Sequence, residues 1–186
     1  VTHRVNPIMQ TCIGPSEEHV SMAGIPTEAS ILDMVERAMP GRVQNVYAHS
    51  SGGGKFIAVI QFKKTVPSDE GRQRQAALLA FSAFPELKQV ILVDEDVDIF
   101  DTNDVLWAMT TRMQADVDIV TIPGVRCHPL DPSNDPACSW SIRDHGIACK
   151  TIYDATVPFN QKARFQRAKF MEVDVKKFLP DFTVQD

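Results

Sequence analysis

Three groups of residues have the types and spacing for chemistry. Asp94, Glu95, Asp96 and Asp98 crowd into VDEDVDIF, and hard cations seek several carboxylates in reach. The spacing does not complete an EF-hand, which needs a glycine at the sixth position and a distant closing glutamate. A solvated strand end followed by a helix cap accounts for the same residues. Gly52-Gly53-Gly54-Lys55 suggests a phosphate loop, but a Walker A motif needs glycine at the His49 position and Ser or Thr at Phe56. It also needs a helix after the lysine, and strand-forming residues follow here. A tight or close-packed turn fits, with a backbone approach to a ligand left open. The third candidate is His128 in GVRCHPLDP, just past a strand end and fixed by Pro129. An imidazole there can donate or accept a hydrogen bond near neutral pH, and simple solvation is the competing reading. For His3, His19 and His145 surface solvation is the default. Cys12, Cys127, Cys138 and Cys149 form no CxxC pair, so structural zinc is not expected. Reduced, mostly buried thiols in a cytoplasmic protein fit better.

These residues need elements to hold them. Val90–Val93 is a short continuous apolar run, the signature of a strand buried on both faces. Asp101 caps the helix that follows, with Asp104 in its first turn and Val105, Leu106, Ala108, Met109 and Met113 as its apolar face. Upstream, Ser16 reads as the cap of a short helix ending near Gly24, and Thr27 as the cap of a second that stops at Pro40-Gly41. Val43 to Ala48 and Phe56 to Phe62 form a hairpin-like pair around a flexible Ser-Gly tip. Ser68 caps a helix through Phe84, and Val117 to Ile122 is another short strand. This rhythm predicts right-handed crossovers and at least three parallel strands. Gly124 to Gly146 reads as a long Pro- and Asp-rich loop of the functional or mobile kind. Phe159 to Phe170 reads as a basic amphipathic helix, followed by an apolar tail.

With 186 residues, 44% apolar and 23% charged, the chain has the composition of one soluble globular domain. Its net charge of −5 argues against nucleic acid and anionic membranes as partners. No apolar run is long enough to span a bilayer, and no signal-peptide pattern opens the chain. The first residue is Val1, not methionine, and the chain is expected to be part of something longer.

VDEDVDIFDTNDVLWAMTTR resembles the late-chain signature of UbiD-like decarboxylases, reversible carboxy-lyases that use prenylated flavin mononucleotide. THRVNPIMQT, GGGKFIAVIQFKK and KTIYDATVP fall in the order that family shows, so the resemblance covers nearly the whole chain. It implies that Val125 to Leu130 lines the substrate pocket above the flavin. His128 would bind a phenolic hydroxyl where cinnamic-type enzymes carry an aromatic residue, with Pro129 and Leu130 beside it. Ile13, and with a less certain alignment His49, are further pocket-wall positions of the resemblance. Lys150 and Asp154 match the late motif, and their simplest role is a structural ion pair or a turn. The family's catalytic Arg and Glu residues, and its Asn, His and Glu ligands for the flavin-phosphate metal, have no match here. No catalytic residue and no metal ligand is therefore expected in this chain.

The expected fold is α/β, a mixed but mostly parallel sheet flanked by helices, with a terminal helix used in dimerisation. Residues 1–158 would be the α/β C-terminal domain and 159–186 a helix and tail making oligomer contacts. The resemblance implies non-oxidative decarboxylation of a hydroxybenzoate-type acid by the full cytoplasmic enzyme. That enzyme would hold prenylated FMN with a divalent metal and potassium, none of it bound by this domain alone. The partners would be the N-terminal flavin-binding part, a second copy in a homodimer or higher homo-oligomer, and the small aromatic acid. The rival reading is a non-catalytic assembly or regulatory subunit of a split decarboxylase complex. An independent nucleotide-binding domain rests on the sheet rhythm alone.

Overall fold

The apolar run at Val90–Val93 does form a strand covered on both sides. It is β3 (Gln89–Val93) in the computed structural model, which describes residues 20–128, 131, 133, 146–168, 171, 173 and 175–178. Before it come α1 (Ile25–Ala38), the hairpin strands β1 (Val43–Ala48) and β2 (Ile57–Phe62), and α2 (Arg72–Ala83). After it come α3 (Thr102–Arg112), β4 (Ile119–Arg126) and β5 (Ile147–Ala155). The five-stranded sheet has the order β1-β2-β3-β5-β4. Strands β2, β3 and β5 are parallel, while β1 and β4 pair antiparallel at the two edges. The mixed, mostly parallel α/β architecture expected from the sequence is the one observed.

Side chains alternate across the sheet, so each strand feeds two cores. Ala58, Ile60, Phe62, Val90, Leu92 and Ile152 meet α1 and α2 on one face through Ile31, Val35, Ala76, Ala80 and Phe81. Val59, Ile91, Val93 and Ala155 meet Val105 and Ala108 of α3 on the other, together with Val97 and Ile99 of the crossover. The central strands therefore have no solvent-facing side. Polar chemistry is confined to their two ends.

Several expectations are corrected. Ser16 lies outside the described residues, and Thr27 does not start a helix. A π-turn over Val20–Gly24 leads directly into α1, and the buried Thr27 hydroxyl donates to Ala23 O inside that continuous run. Gly71, at φ 88°, not Ser68, precedes α2, because a 3-10 turn over Pro67–Asp69 intervenes. The expected strand at Val117 begins at Ile119 and runs antiparallel, so the third parallel strand is β5, which pattern reading left as a motif without an element. The long loop shortens accordingly, since Gly124 to Arg126 belong to β4. Leu106 is 51% exposed on the outer side of α3, off the apolar face. Phe159–Arg164 is a 3-10 turn in place of the start of an amphipathic helix, and no residue of it is buried.

Lys150 and Asp154 sit on β5 and do not pair with each other. The buried Lys150 ammonium donates to the carbonyls of Pro85 and Leu87, each at 2.7 Å, and lies 5.0 Å over the Phe81 ring. Burial lowers its pKa. Asp154 accepts from Arg74 at 2.7 Å and Gln73 at 3.0 Å.

Asp69 closes the turn between β2 and α2. Its Oδ2 accepts from the amides of Thr65 and Val66 and the Thr65 hydroxyl, and Arg42 Nε stands 2.9 Å away. Burial pushes this carboxyl up, but those donors outweigh it and bring the pKa from 3.8 to about 2. The stabilisation is thus present above the ordinary carboxylate value and lost as pH falls toward the folded one. Asp69→Asn should cost about 2 kcal/mol near neutral pH, with the gap to wild type closing in acid. Urea midpoints measured from neutral pH downward check this, and a gap independent of pH would sink it.

Candidate functional site

At the carboxyl end of β3 only Asp94 of the acidic cluster is buried, while Glu95, Asp96 and Asp98 stay exposed, as a solvated strand end requires, with Glu95 and Asp96 paired to cations. Asp94 Oδ2 accepts from Arg112 Nη1 at 3.0 Å and from the Val157 amide at 2.8 Å. Asp96 takes both terminal nitrogens of Arg112, at 2.8 and 2.6 Å, and Arg167 binds Asp96 and Asp104. Lys162 pairs with Glu95 at 3.0 Å. Trp107 lies within cation–π distance of the guanidiniums of Arg112 and Arg167, at centroid distances of 5.0 and 4.3 Å. Burial pushes the Asp94 carboxyl up, against the Val157 amide and Arg112. At Asp96 and Asp104 burial is outweighed by the arginines, and both are lowered. Asp101 caps α3 as expected, accepting from Asn103 N at 2.9 Å. A cavity of about 450 Å³ opens beside this network, with Val157 and Phe165 among its walls. Among the described residues no group of three or more His, Cys, Asp or Glu side chains is arranged to hold a metal ion.

The amino end of the parallel strands carries the residues that sequence reasoning singled out. His128 follows β4 by one residue and is only 8% exposed, so simple solvation is not its state. Its ring meets Phe56 edge-on, with centroids 5.7 Å apart and planes at 87°. Its Nε2 lies 3.5 Å from Glu86 Oε2, and its carbonyl accepts from the Asp131 amide at 3.1 Å. Asp131 is held by Lys88 at 2.7 Å. Ser51, Gly52, Phe56, Lys88 and Asp131 border a cleft of about 250 Å³ at this edge. Ile13, Pro129 and Leu130 lie outside the described residues.

His49 ends β1 at the same edge, and both of its ring nitrogens are engaged. Nδ1 accepts from the Ser51 amide at 3.1 Å, which puts the ring proton on Nε2, 2.8 Å from the Thr102 hydroxyl. Partial burial lowers its pKa. The glycine run beyond it is a tight turn with Gly53 and Gly54 at positive φ. The amides of residues 52–56 all donate to carbonyls of His49, Ser50 or Gly52, so none of these donors points at a ligand phosphate. Neither this turn nor the ion-paired carboxyl edge offers the donor set that a flavin phosphate and its metal would need.

Sequence reasoning missed Glu86, and it weighed Lys55 and Phe56 as parts of a phosphate loop, not as neighbours of Glu86 and His128. The apolar Phe56 counts as strand in any pattern, and Glu86 in FPELK sits in a turn without periodicity. Arg112 was overlooked because a basic residue in a last helical turn is ordinary.

A family description, 3-octaprenyl-4-hydroxybenzoate carboxy-lyase C-terminal domain, matches residues 20–155. The chain is similar to the gallate decarboxylase of Lactiplantibacillus plantarum, at 62% identity over 181 residues covering 96% of this chain and 37% of that protein. It is similar to the apo 3,4-dihydroxybenzoic acid decarboxylase of Enterobacter cloacae, at 63% identity and a TM-score of 0.82, covering 90% of this chain and 34% of that one. The UbiD-class enzyme HmfF of Pelotomaculum thermopropionicum, solved in complex with FMN, matches at 33% identity and a TM-score of 0.75, over 90% of this chain and 35% of that one. The chain thus spans about a third of the length of these relatives. By this match and by its sheet, the chain belongs to the family of UbiD-type carboxy-lyase C-terminal domains.

Proposed function

We propose that the chain is the C-terminal domain of a cytoplasmic enzyme that decarboxylates a hydroxylated benzoic acid without oxidation. The observation that carries the reading is a buried histidine, His128, packed against Phe56 and bonded to Asp131, two residues that line the edge cleft, in a chain 62% identical to a gallate decarboxylase. His128 contacts a ring hydroxyl of the substrate. Pro129, Leu130 and Ile13 supply the apolar wall, and His49 borders it from the neighbouring turn. A prenylated flavin, with its divalent metal and potassium, supplies the electron sink for carbon dioxide loss when bound to the N-terminal part of the enzyme. The described residues of this chain do not fit that group, so no step through it is assigned here. Their work is to position the ring and exclude water. The rival, a non-catalytic assembly or regulatory subunit, draws on a different observation, that the clustered Asp94, Glu95 and Asp96 are all paired with cations.

The terminal segment serves assembly. Met171, Val173 and Phe178 are 89%, 62% and 69% exposed, and each fully buried side chain of this kind stabilises by about 1.5–3 kcal/mol. Residues 159–186 therefore complete a symmetric dimer by covering a second copy. Phe170, Leu179 and Phe182, which belong to the same argument, lie outside the described residues.

Three outcomes are expected. The chain alone, mixed with prenylated flavin and a panel of hydroxybenzoates, should release no carbon dioxide, and turnover by it would refute the reading. In the full-length enzyme His128→Phe should cost about 1–3 kcal/mol in kcat/KM for 3,4-dihydroxybenzoate, while inhibition by benzoate, which lacks the hydroxyls, stays close to wild type. Equal losses on both would mean that the ring acts through packing. Truncation after Ala168 keeps the ion pairs of Lys162 and Arg167 but removes the apolar tail. Light scattering should then show a dimer becoming a monomer, and an unchanged mass would count against the tail contact.

A further inference from the structure

The turn between α2 and β3 is held with unusual firmness for a surface connection. The Lys150 ammonium is almost fully buried, and the two carbonyls it binds, Pro85 O and Leu87 O, flank a single residue, Glu86. Leu87 is itself fully buried and its amide donates to Phe84 O at 3.0 Å. The backbone of Glu86 is thus pinned on both sides by a cation taken out of water, an arrangement that costs desolvation and needs good geometry to be kept.

The pinned residue reaches His128. Glu86 Oε2 lies 3.5 Å from His128 Nε2 and 3.7 Å from Lys55 Nζ. One carboxylate oxygen is therefore shared between the imidazole and the lysine that ends the glycine turn. Phe56, next to Lys55, closes the other side of the imidazole edge-on. The remaining charged pair at this edge, Lys88–Asp131, faces the backbone side, where Asp131 N donates to His128 O. A carboxylate directed at one ring nitrogen fixes the rotation of the imidazole and favours the tautomer with the proton on that nitrogen.

We infer that Glu86 is the positioning residue of His128, directing the imidazole so that it meets a substrate hydroxyl in one orientation. This rests on the reading of His128 as a substrate contact. Glu86 itself touches no substrate. Its side chain reaches the pocket only through the ring, and Lys55 neutralises and steers it. The device selects hydroxylated aromatic acids, because an unhydroxylated ring draws nothing from a correctly turned imidazole.

The test uses the full-length holoenzyme, 3,4-dihydroxybenzoate as substrate and benzoate as competitive inhibitor. Glu86→Ala should raise KM for 3,4-dihydroxybenzoate by about tenfold, with kcat and the inhibition constant of benzoate nearly unchanged. Glu86→Gln keeps an acceptor oxygen and should recover most of the loss. In a His128→Phe background, Glu86→Ala should add nothing, since the two act as a unit. Equal effects of Glu86→Ala on substrate and inhibitor, no effect on either, or no recovery by glutamine would each overturn the inference. Selectivity lost in His128→Phe but retained in Glu86→Ala rejects the role of Glu86 alone. If His128→Phe leaves selectivity intact, the pocket reading fails and the inference falls with it.

Discussion

Strands β2 and β3 are covered on both faces, and that constraint governs where everything polar must go. Ala58, Ile60, Val90 and Leu92 look one way and Val59, Ile91 and Val93 the other, all of them buried. At about 25 cal/mol for each Å² of apolar surface removed from water, such a strand supplies much of the stabilisation and leaves no lateral room for a polar group. Titratable side chains are forced to the strand ends. The chain treats those two ends differently.

At the carboxyl end most of the carboxylates are paired with cations of the chain itself. Asp94 is deep enough that its own desolvation raises its pKa, and Arg112 and the Val157 amide satisfy its Oδ2, while Oδ1 is buried without a hydrogen-bond partner among the described residues. A buried pair of this kind adds little net stability over apolar packing, yet removing one partner costs about 3–5 kcal/mol, since the other charge is left buried. Arg167 and Lys162 extend the network to the segment after β5 and tie it across α3 and the crossover. That tie fixes where the terminal segment leaves the domain, so the acidic cluster acts as an anchor for the chain that follows.

Legibility in the sequence follows the same division. β3, the Asp101 cap and the β1–β2 hairpin were readable because each is specified by neighbours within a few residues. β5 was not, because IACKTIYDA carries a lysine and an aspartate at inward positions, and only distant partners make those acceptable. Lys150 is satisfied by carbonyls 65 and 63 residues away, and Asp154 by side chains 81 and 80 residues away. β4 misled for the opposite reason. Its residues are half-buried or exposed, as befits an edge strand, and an apolar pattern carries no direction. At the site, His128 stood out through its proline and its motif, whereas Glu86 carries no local signal, because its position is set by a buried ammonium from another strand.

Open α/β sheets commonly bind ligands outside the carboxyl ends of their strands, and the acidic turn after β3 invites that reading. Here the segment after β5 crosses that edge beside the cavity of about 450 Å³, and Asp94, Glu95 and Asp96 are paired with Arg112, Lys162 and Arg167. The amino edge brings together the turn before β2, the α2–β3 turn and the end of β4, with a tight Lys88–Asp131 pair at 2.7 Å and a Glu86 carboxylate shared at longer range, 3.5 Å from His128 and 3.7 Å from Lys55. The bidentate Arg112–Asp96 pair at 2.6 and 2.8 Å is the stronger of the two arrangements and would have to be broken to admit a ligand at the carboxyl edge. The carboxyl end of the sheet therefore holds the segment that follows β5, and the proposed substrate contact falls at the amino end.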